Sequence, residues 1–208
     1  MTNDPFGRVV TLKIELRDIR PRIWRRVAVP ERYSLRGLHD VIQAVFNWLD
    51  YHLHQFEIGG IVYGQTEIAN ADFSPGRQFS DNNKMLYSLV DSGVKSFVYR
   101  YDFGDDWEHI VEIEGVGDPE RGVEYPALLG GARAAPPEDC GGPLGFQDFL
   151  EALEDEDHED HARMVEWYGG QFDVNDMELD VVKARLGRVR ARRQAKPSPR
   201  KRAVRRKK

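Results

Sequence analysis

Three histidines, a set of aspartates and one cysteine are the residues best equipped for chemistry in this chain. His52 and His54 stand two apart in a segment, His52 to Ile58, that alternates polar and apolar as a strand does. Both imidazoles would then share a face with Phe56 and Ile58. His109 shares a face with Trp107, Val111 and Ile113 on a later strand, and Asp102 belongs to the strand before it. Asp105 and Asp106 occupy the turn between those two strands. If the strands are neighbours, His52 or His54, His109 and a turn carboxylate converge as a nitrogen–oxygen site for a divalent metal, Zn or Mn, with His52, His54, His109 and Asp102 as ligands. A metal so held activates water for hydrolysis. The same pattern equally describes histidines hydrogen-bonded on a half-buried sheet face, with aspartates that bond their own turn backbone.

Glu138, Asp139, Cys140, Gly141 and Gly142 form the next candidate. Cys140 in a glycine-rich loop reads as a thiolate nucleophile, or as a contributor with Glu138 to the site above. Its acidic neighbours raise a thiol pKa, the wrong direction for a nucleophile, so a rigid docking turn fits the charges better. Gly59-Gly60 and Gly130-Gly131 are not followed by the Lys-Ser/Thr of a phosphate loop. The acidic run from Glu154 to Asp160 lacks the alternation and glycine of a calcium loop. Trp24, Trp48, Trp107 and Trp167 serve either a recognition groove or core packing.

Positioning these residues requires a scaffold, and periodicity supplies one. Val9 to Ile19 alternates as a half-buried strand, and Ile23 to Val29 reads as a second. Ser34 caps a helix with Leu38, Val41, Ile42, Val45, Phe46 and Leu49 on one stripe. His52 to Ile58 and Ile61 to Tyr63 are strands, and residues 64 to 84 read as a long polar loop. Phe97 to Phe103 and Trp107 to Glu114 form a hairpin, followed by a Gly/Pro-rich passage from Gly115 to Gly145. Helices follow around Phe146 to Leu153, from His158 to Tyr168, and along Leu179, Val182, Leu186 and Val189. The expected fold is α+β: a single domain with a mostly antiparallel sheet, one helix after the second strand, and a C-terminal group of helices. Its limits are drawn at 8–186, between a disordered N-terminus (1–7) and a basic, largely disordered tail (187–208).

The net charge of −5 conceals a dipolar chain. Residues 183–208 hold 14 basic residues and no acid, whereas 37–182 hold seven basic and 31 acidic residues. Arg188, Arg190, Arg192, Arg193, Arg200, Lys201, Arg202, Arg205, Arg206, Lys207 and Lys208 could neutralise phosphates and bind nucleic acid without sequence preference. A solvated tail that keeps an acidic body in solution is the competing reading. With 40% apolar residues a substantial core forms, and no apolar run approaches a membrane span. The N-terminus lacks a secretory signal, and a lone cysteine suits a reducing compartment, so a cytoplasmic location with no membrane partner is expected.

Five segments, in order, resemble the Ri-plasmid ORF-three-like family. They are Ile19 to Arg26, Leu38 to Gln43 with His52 to Phe56, Tyr101 to His109, Pro136 to Gly142, and Trp167 to Asp173. The resemblance spans roughly residues 8 to 186 and implies one α+β domain, encoded on plasmids or carried as a passenger of insertion sequences. Some relatives bear a resolvase-like label, which the electrostatics of this chain oppose. Recombination needs a nucleophile among cations, and the acidic block at 37–182 would repel DNA. The expected function is an accessory protein of mobile or plasmid DNA, its acidic body binding a protein or small ligand and its tail touching nucleic acid. A metal-dependent hydrolase and a structural partner in an oligomer are the alternatives.

Overall fold

The computed structural model describes residues 7–64 and 78–194. Strands β1 (Val9–Leu16) and β2 (Trp24–Pro30) lead into helix α1 (Leu35–Val45). Then come β3 (His54–Ile58), β4 (Ile61–Gly64), β5 (Gln78–Ser80), α2 (Leu86–Asp91), β6 (Ser96–Tyr101), β7 (Trp107–Gly117) and β8 (Ala127–Ala132). Helices α3 (Gly142–Glu154), α4 (His161–Tyr168) and α5 (Leu179–Gln194) close the chain as described. All eight strands share one sheet, ordered β5-β4-β3-β6-β7-β1-β2-β8. Every neighbouring pair is antiparallel except β4 and β5. The architecture is thus α+β, as the periodicities imply.

Alternation along β1 buries Val10, Leu12, Ile14 and Leu16 and leaves Thr11, Lys13 and Glu15 half-exposed on the other face. Ser34 accepts a hydrogen bond from the Gly37 amide at 3.2 Å and so starts α1. The apolar stripe of α1 then joins β1 in a single core, which Val182, Leu186 and Val189 of α5 complete. Leu49, placed by sequence on that stripe, is instead 51% exposed, because α1 ends at Val45 and Asn47 turns the chain with a positive φ. No helix among the described residues is long and apolar enough to cross a membrane.

Three elements escape the sequence pattern. Strand β8 lies inside the passage that glycine and proline mark as loop. A Cβ on Gly131 would sit 2.8 Å from the Trp24 carbonyl oxygen and 3.0 Å from Arg25 Cδ. Glycine there is a condition of close strand packing rather than a mark of a turn. Helix α2 and the short β5 likewise fall in or just after the expected long loop, whose residues 65–77 lie outside the described ones. At the other end, α5 continues to Gln194, so the limit expected at residue 186 falls within a helix. The tail beyond it, 195–208, also lies outside the described residues.

One buried cation ties three elements together. Arg25 is 1% exposed, and its Nε donates to the Val45 carbonyl at the end of α1, at 2.8 Å. Its Nη1 donates to the Trp24 and Ala132 carbonyls at 2.9 and 3.0 Å, and its guanidinium lies 5.1 Å from the Phe46 ring centroid. Among the described residues no carboxylate pairs with it. Burial lowers its pKa to about 10, which still leaves it charged at neutral pH. Carbonyl oxygens, the negative end of α1 and an aromatic face therefore replace water. Arg25→Met keeps the aliphatic bulk but strands three buried acceptors, and should cost roughly 3 kcal/mol. Urea denaturation measures this; a loss below about 0.5 kcal/mol would contradict the structural role.

Candidate functional site

The fold sends the three candidate histidines to three different places. His54 is fully buried at the start of β3, with Nε2 2.9 Å from Asp81 Oδ2. Its ring stacks on that of His39 from α1, centroids 3.7 Å apart and planes at 20°. His39 in turn lies 2.8 Å from the Tyr99 hydroxyl through Nδ1 and 2.8 Å from Asp50 Oδ1 through Nε2. Gln43 donates to the same Tyr99 oxygen at 3.2 Å and accepts from the Asp50 amide at 3.0 Å. His109 is also fully buried, its Nδ1 3.2 Å from the Trp107 carbonyl, edge-on to the rings of Phe46 and Trp48.

His39, Asp50 and His54 carry donor atoms close enough for a metal by distance alone. Their orientation argues against it. Imidazole lone pairs lie in the ring plane, and two rings stacked nearly parallel point those pairs side by side rather than at one point. Both nitrogens of His39 are engaged as well. The cluster has the geometry of a buried hydrogen-bonded layer.

A different arrangement forms around His52, which lies in the connection before β3 rather than on the strand. Its Nε2 is 3.0 Å from Asp139 Oδ1, 3.5 Å from Asp102 Oδ2 and 3.9 Å from Glu138 Oε2. Glu138 is anchored by its other oxygen, which accepts from the Tyr101 hydroxyl at 3.0 Å and the Leu49 amide at 2.5 Å. Asp102 adopts a positive φ and accepts the Gly104 amide at 2.9 Å, which fixes its carboxylate at the head of the turn. Two donors about 2.1 Å from a shared metal lie about 3.0 Å apart at right angles and about 3.4 Å apart in a tetrahedron. The two shortest separations match that spacing as they stand. His52 Nε2 and Glu138 Oε2 are shielded from solvent and have no hydrogen-bond partner among the described residues.

The remaining candidates support this centre or stand apart from it. Asp105 Oδ2 accepts the Gly141 amide at 3.1 Å, and a Cβ on Gly142 would meet the Asp105 carbonyl oxygen at 2.3 Å. This close approach docks the Pro136–Gly142 segment onto the turn after β6. Cys140 is half-buried, and burial together with Asp105 pushes its thiol up to about 12. It is therefore a neutral thiol near pH 7, not an activated nucleophile. Asp106 points away to Arg100, at 2.9 Å. Asp139 completes the His52 cluster; by sequence it stands in the candidate segment Glu138 to Gly142 only as an acidic neighbour of Cys140, not as a ligand. His39 and Asp81 were missed too. His39 could have been found as a polar residue on the apolar stripe of α1, in step with Leu35 and Ile42.

Exposed apolar side chains flank the centre along the chain: Leu49, Tyr51, Leu53 and Phe103. A groove of roughly 330 Å³ adjoins it, lined by Trp48, Glu138, Tyr168, Phe172, Asp173 and Glu178 among others. Of the basic candidates on α5, Arg190 is engaged with the Pro126 carbonyl and Glu124, and Arg193 lies 3.4 Å over the Tyr33 ring. Arg188 and Arg192 are exposed and border a hollow between α1 and α5. Arg200, Lys201, Arg202, Arg205, Arg206, Lys207 and Lys208 lie outside the described residues.

Comparison with other proteins supplies a family. The sequence model for plasmid pRiA4b ORF-3-like proteins matches residues 8–181. The uncharacterized protein y4hQ of Sinorhizobium fredii (strain NBRC 101917 / NGR234) is 42% identical over 161 residues, 77% of this chain and 81% of that protein. A crystal structure of a protein of unknown function, MM3350 from Methanosarcina mazei Go1, shares 39% sequence identity with a TM-score of 0.73. That similarity covers 82% of this chain and 95% of the other.

The buried histidines make stability depend on pH. Burial lowers His39 to about 4 and His109 to about 3, against an ordinary value of 6.5. The unfolded chain binds both protons near pH 6.5, whereas the folded one refuses them. Their contribution is therefore complete above about pH 6.5 and is lost as pH falls toward the folded values. The unfolding free energy should fall by up to about 2.7 kcal/mol per pH unit between pH 6 and 4. Urea midpoints that stay constant over that window would refute it.

Proposed function

Because this chain belongs to the plasmid pRiA4b ORF-3-like family, and the relatives above are themselves uncharacterized, we propose a function from the site itself. The protein is a divalent-metal protein in which His52, Asp102 and Asp139 hold one Zn or Mn ion, with Glu138 beside them. The observation that supports this reading is the convergence of three carboxylates on one imidazole nitrogen, within 3.0 to 3.9 Å. The Asp102 and Asp139 oxygens lie within 4.8 Å of each other and repel unless a cation lies between them.

One nitrogen and two oxygens form a donor set for hard to borderline ions, hence manganese or zinc rather than copper. When bound by these residues, such an ion would supply the activation of water on which hydrolysis depends. The adjoining groove gives a substrate room beside it. Protein purified without chelator should carry about one equivalent of Mn or Zn by elemental analysis, or take it up on titration. His52→Ala and Asp102→Asn should each weaken uptake at least 10-fold with circular dichroism unchanged. Failure of the parent protein to bind either ion, or equal uptake by both variants, rejects the centre.

A second reading concerns the basic C-terminal region. Arg188 and Arg192 are exposed on α5 with no ion pair among the described residues, which favours contact with phosphates of a nucleic acid. The partner would be met by charge and not by sequence. Replacing both with Ala should lower the slope of log binding constant against log salt by about 1 to 2. An unchanged slope on double-stranded DNA assigns those arginines to solvation alone.

A further inference from the structure

The groove beside the His52 centre has a chemistry of its own, and we infer that it binds a small organic cation, an amine or guanidinium on a short aliphatic body. As the substrate class for the metal centre, this inference rests on the reading proposed above.

The groove lies between the connection after α1, the segment Ala134 to Glu138, and the segment Tyr168 to Glu178. Its aromatic lining is fixed in place. Trp48 is 2% exposed, donates through Nε1 to the Pro136 carbonyl at 2.9 Å, and stacks with Phe46 at 5.4 Å. Tyr168 and Phe172 stand at right angles with centroids 5.3 Å apart. Trp48, stacked on Phe46 and also on Tyr101 at 5.1 Å, forms the closed floor, and the exposed Tyr168 and half-buried Phe172 supply the ring surface that attracts a cation. Glu138, Asp173, Asp176 and Glu178 add carboxylates around them. Asp173 and Asp176 each spend one oxygen on a backbone amide, of Asn175 and Glu178 respectively. Their second oxygens have no partner among the described residues.

Among the described residues that line the groove one is basic, Arg25, and its charge is already committed. It is buried under Phe46 and donates to three carbonyls. Arg185, just outside, donates to Asn47 Oδ1 and borders the adjoining hollow. An anionic ligand would therefore face repulsion from four carboxylates. A neutral apolar one would satisfy the rings and desolvate carboxylates without return. A bare metal ion would find oxygens but no use for the rings. A cation on an aliphatic stem uses both, and roughly 330 Å³ lies at the lower end of small-ligand pockets. Glu138 belongs to both places: one oxygen fixes the groove wall through Tyr101 and Leu49, and the other faces His52. A ligand seated by its charge in the groove therefore lies beside the metal centre.

Agmatine, titrated into the full-length protein with and without Mn²⁺ and followed by tryptophan fluorescence, tests the inference. Saturable binding is expected, at least 10-fold tighter than that of pentanamide, a neutral molecule of similar length. The triple variant Asp173→Asn, Asp176→Asn, Glu178→Gln keeps every backbone acceptor and should bind agmatine at least 10-fold more weakly. Its Mn²⁺ affinity should be unchanged. No saturable binding, equal binding of pentanamide, or full affinity in the triple variant overturns the inference. Binding of a Lys/Arg-rich peptide but not of agmatine also overturns it, and assigns the groove to a protein partner. Mn²⁺ uptake without agmatine binding rejects the groove alone. Agmatine binding without Mn²⁺ uptake rejects the centre alone.

Discussion

A guanidinium buried without a carboxylate is the constraint on which the rest of this structure depends. Arg25 satisfies its donors on three carbonyls that belong to α1, β2 and the end of β8. Two of those points, Val45 and Ala132, are where the chain leaves regular structure toward the candidate site. Past Val45 it runs through Trp48 and Leu49 to His52. Past Ala132 it runs through Pro136 to Glu138 and Asp139. One side chain thus sets the starting positions of two of the three segments that meet at His52. Gly131 makes the arrangement sterically feasible, since a side chain there would occupy the space of the Trp24 carbonyl and of Arg25 itself.

The third segment, the turn after β6, is positioned by the sheet. β6 pairs with β3 and β7, so Tyr101 stands opposite both His54 and Trp107. Above this register lies the stacked pair of His39 and His54, each ring held at a carboxylate and one of them also at Tyr99. Such a layer costs stability as acid accumulates, yet it leaves few alternative ways for α1 to sit on β3 and β6. Polar groups buried with fixed partners specify orientation where aliphatic contacts tolerate sliding. Arg36 extends the layer to the surface by its bond to Asp50 at 2.8 Å.

Much of this was legible in the residues and some was not, for physical reasons that differ. The alternation of Val10, Leu12, Ile14 and Leu16 and the stripe Leu38, Val41, Ile42 and Val45 are direct records of burial on one face. His52, Asp102 and Glu138 were legible as candidates from residue type, and the fold does bring them together. The pairing of His52 with His54 was misleading because parity holds only inside a strand, and β3 begins at His54. Asp81 reaches His54 from a segment with no periodic signal of its own. Glycines in β8 carried two meanings, turn and close approach, and only the neighbouring strand distinguishes them. Asp139 owes its place to a positive φ at a loop corner, which no local pattern encodes for an aspartate.

The four side chains gathered at His52 also come from far apart along the polypeptide, and that has a consequence in time. Helix α1 and the β1–β2 and β6–β7 hairpins unite residues close in sequence, and loop-closure entropy lets such units form early. Glu138 and Asp139 reach His52 only after β8 has paired with β2 across about half of the chain length. A newly made or partly unfolded molecule can thus hold native helices and hairpins while its imidazole stands without its carboxylates. The cluster is among the last features to assemble and, by the same token, among the first to be lost when the β8 edge opens. Its integrity reports on the closure of the whole sheet rather than on the health of any one loop.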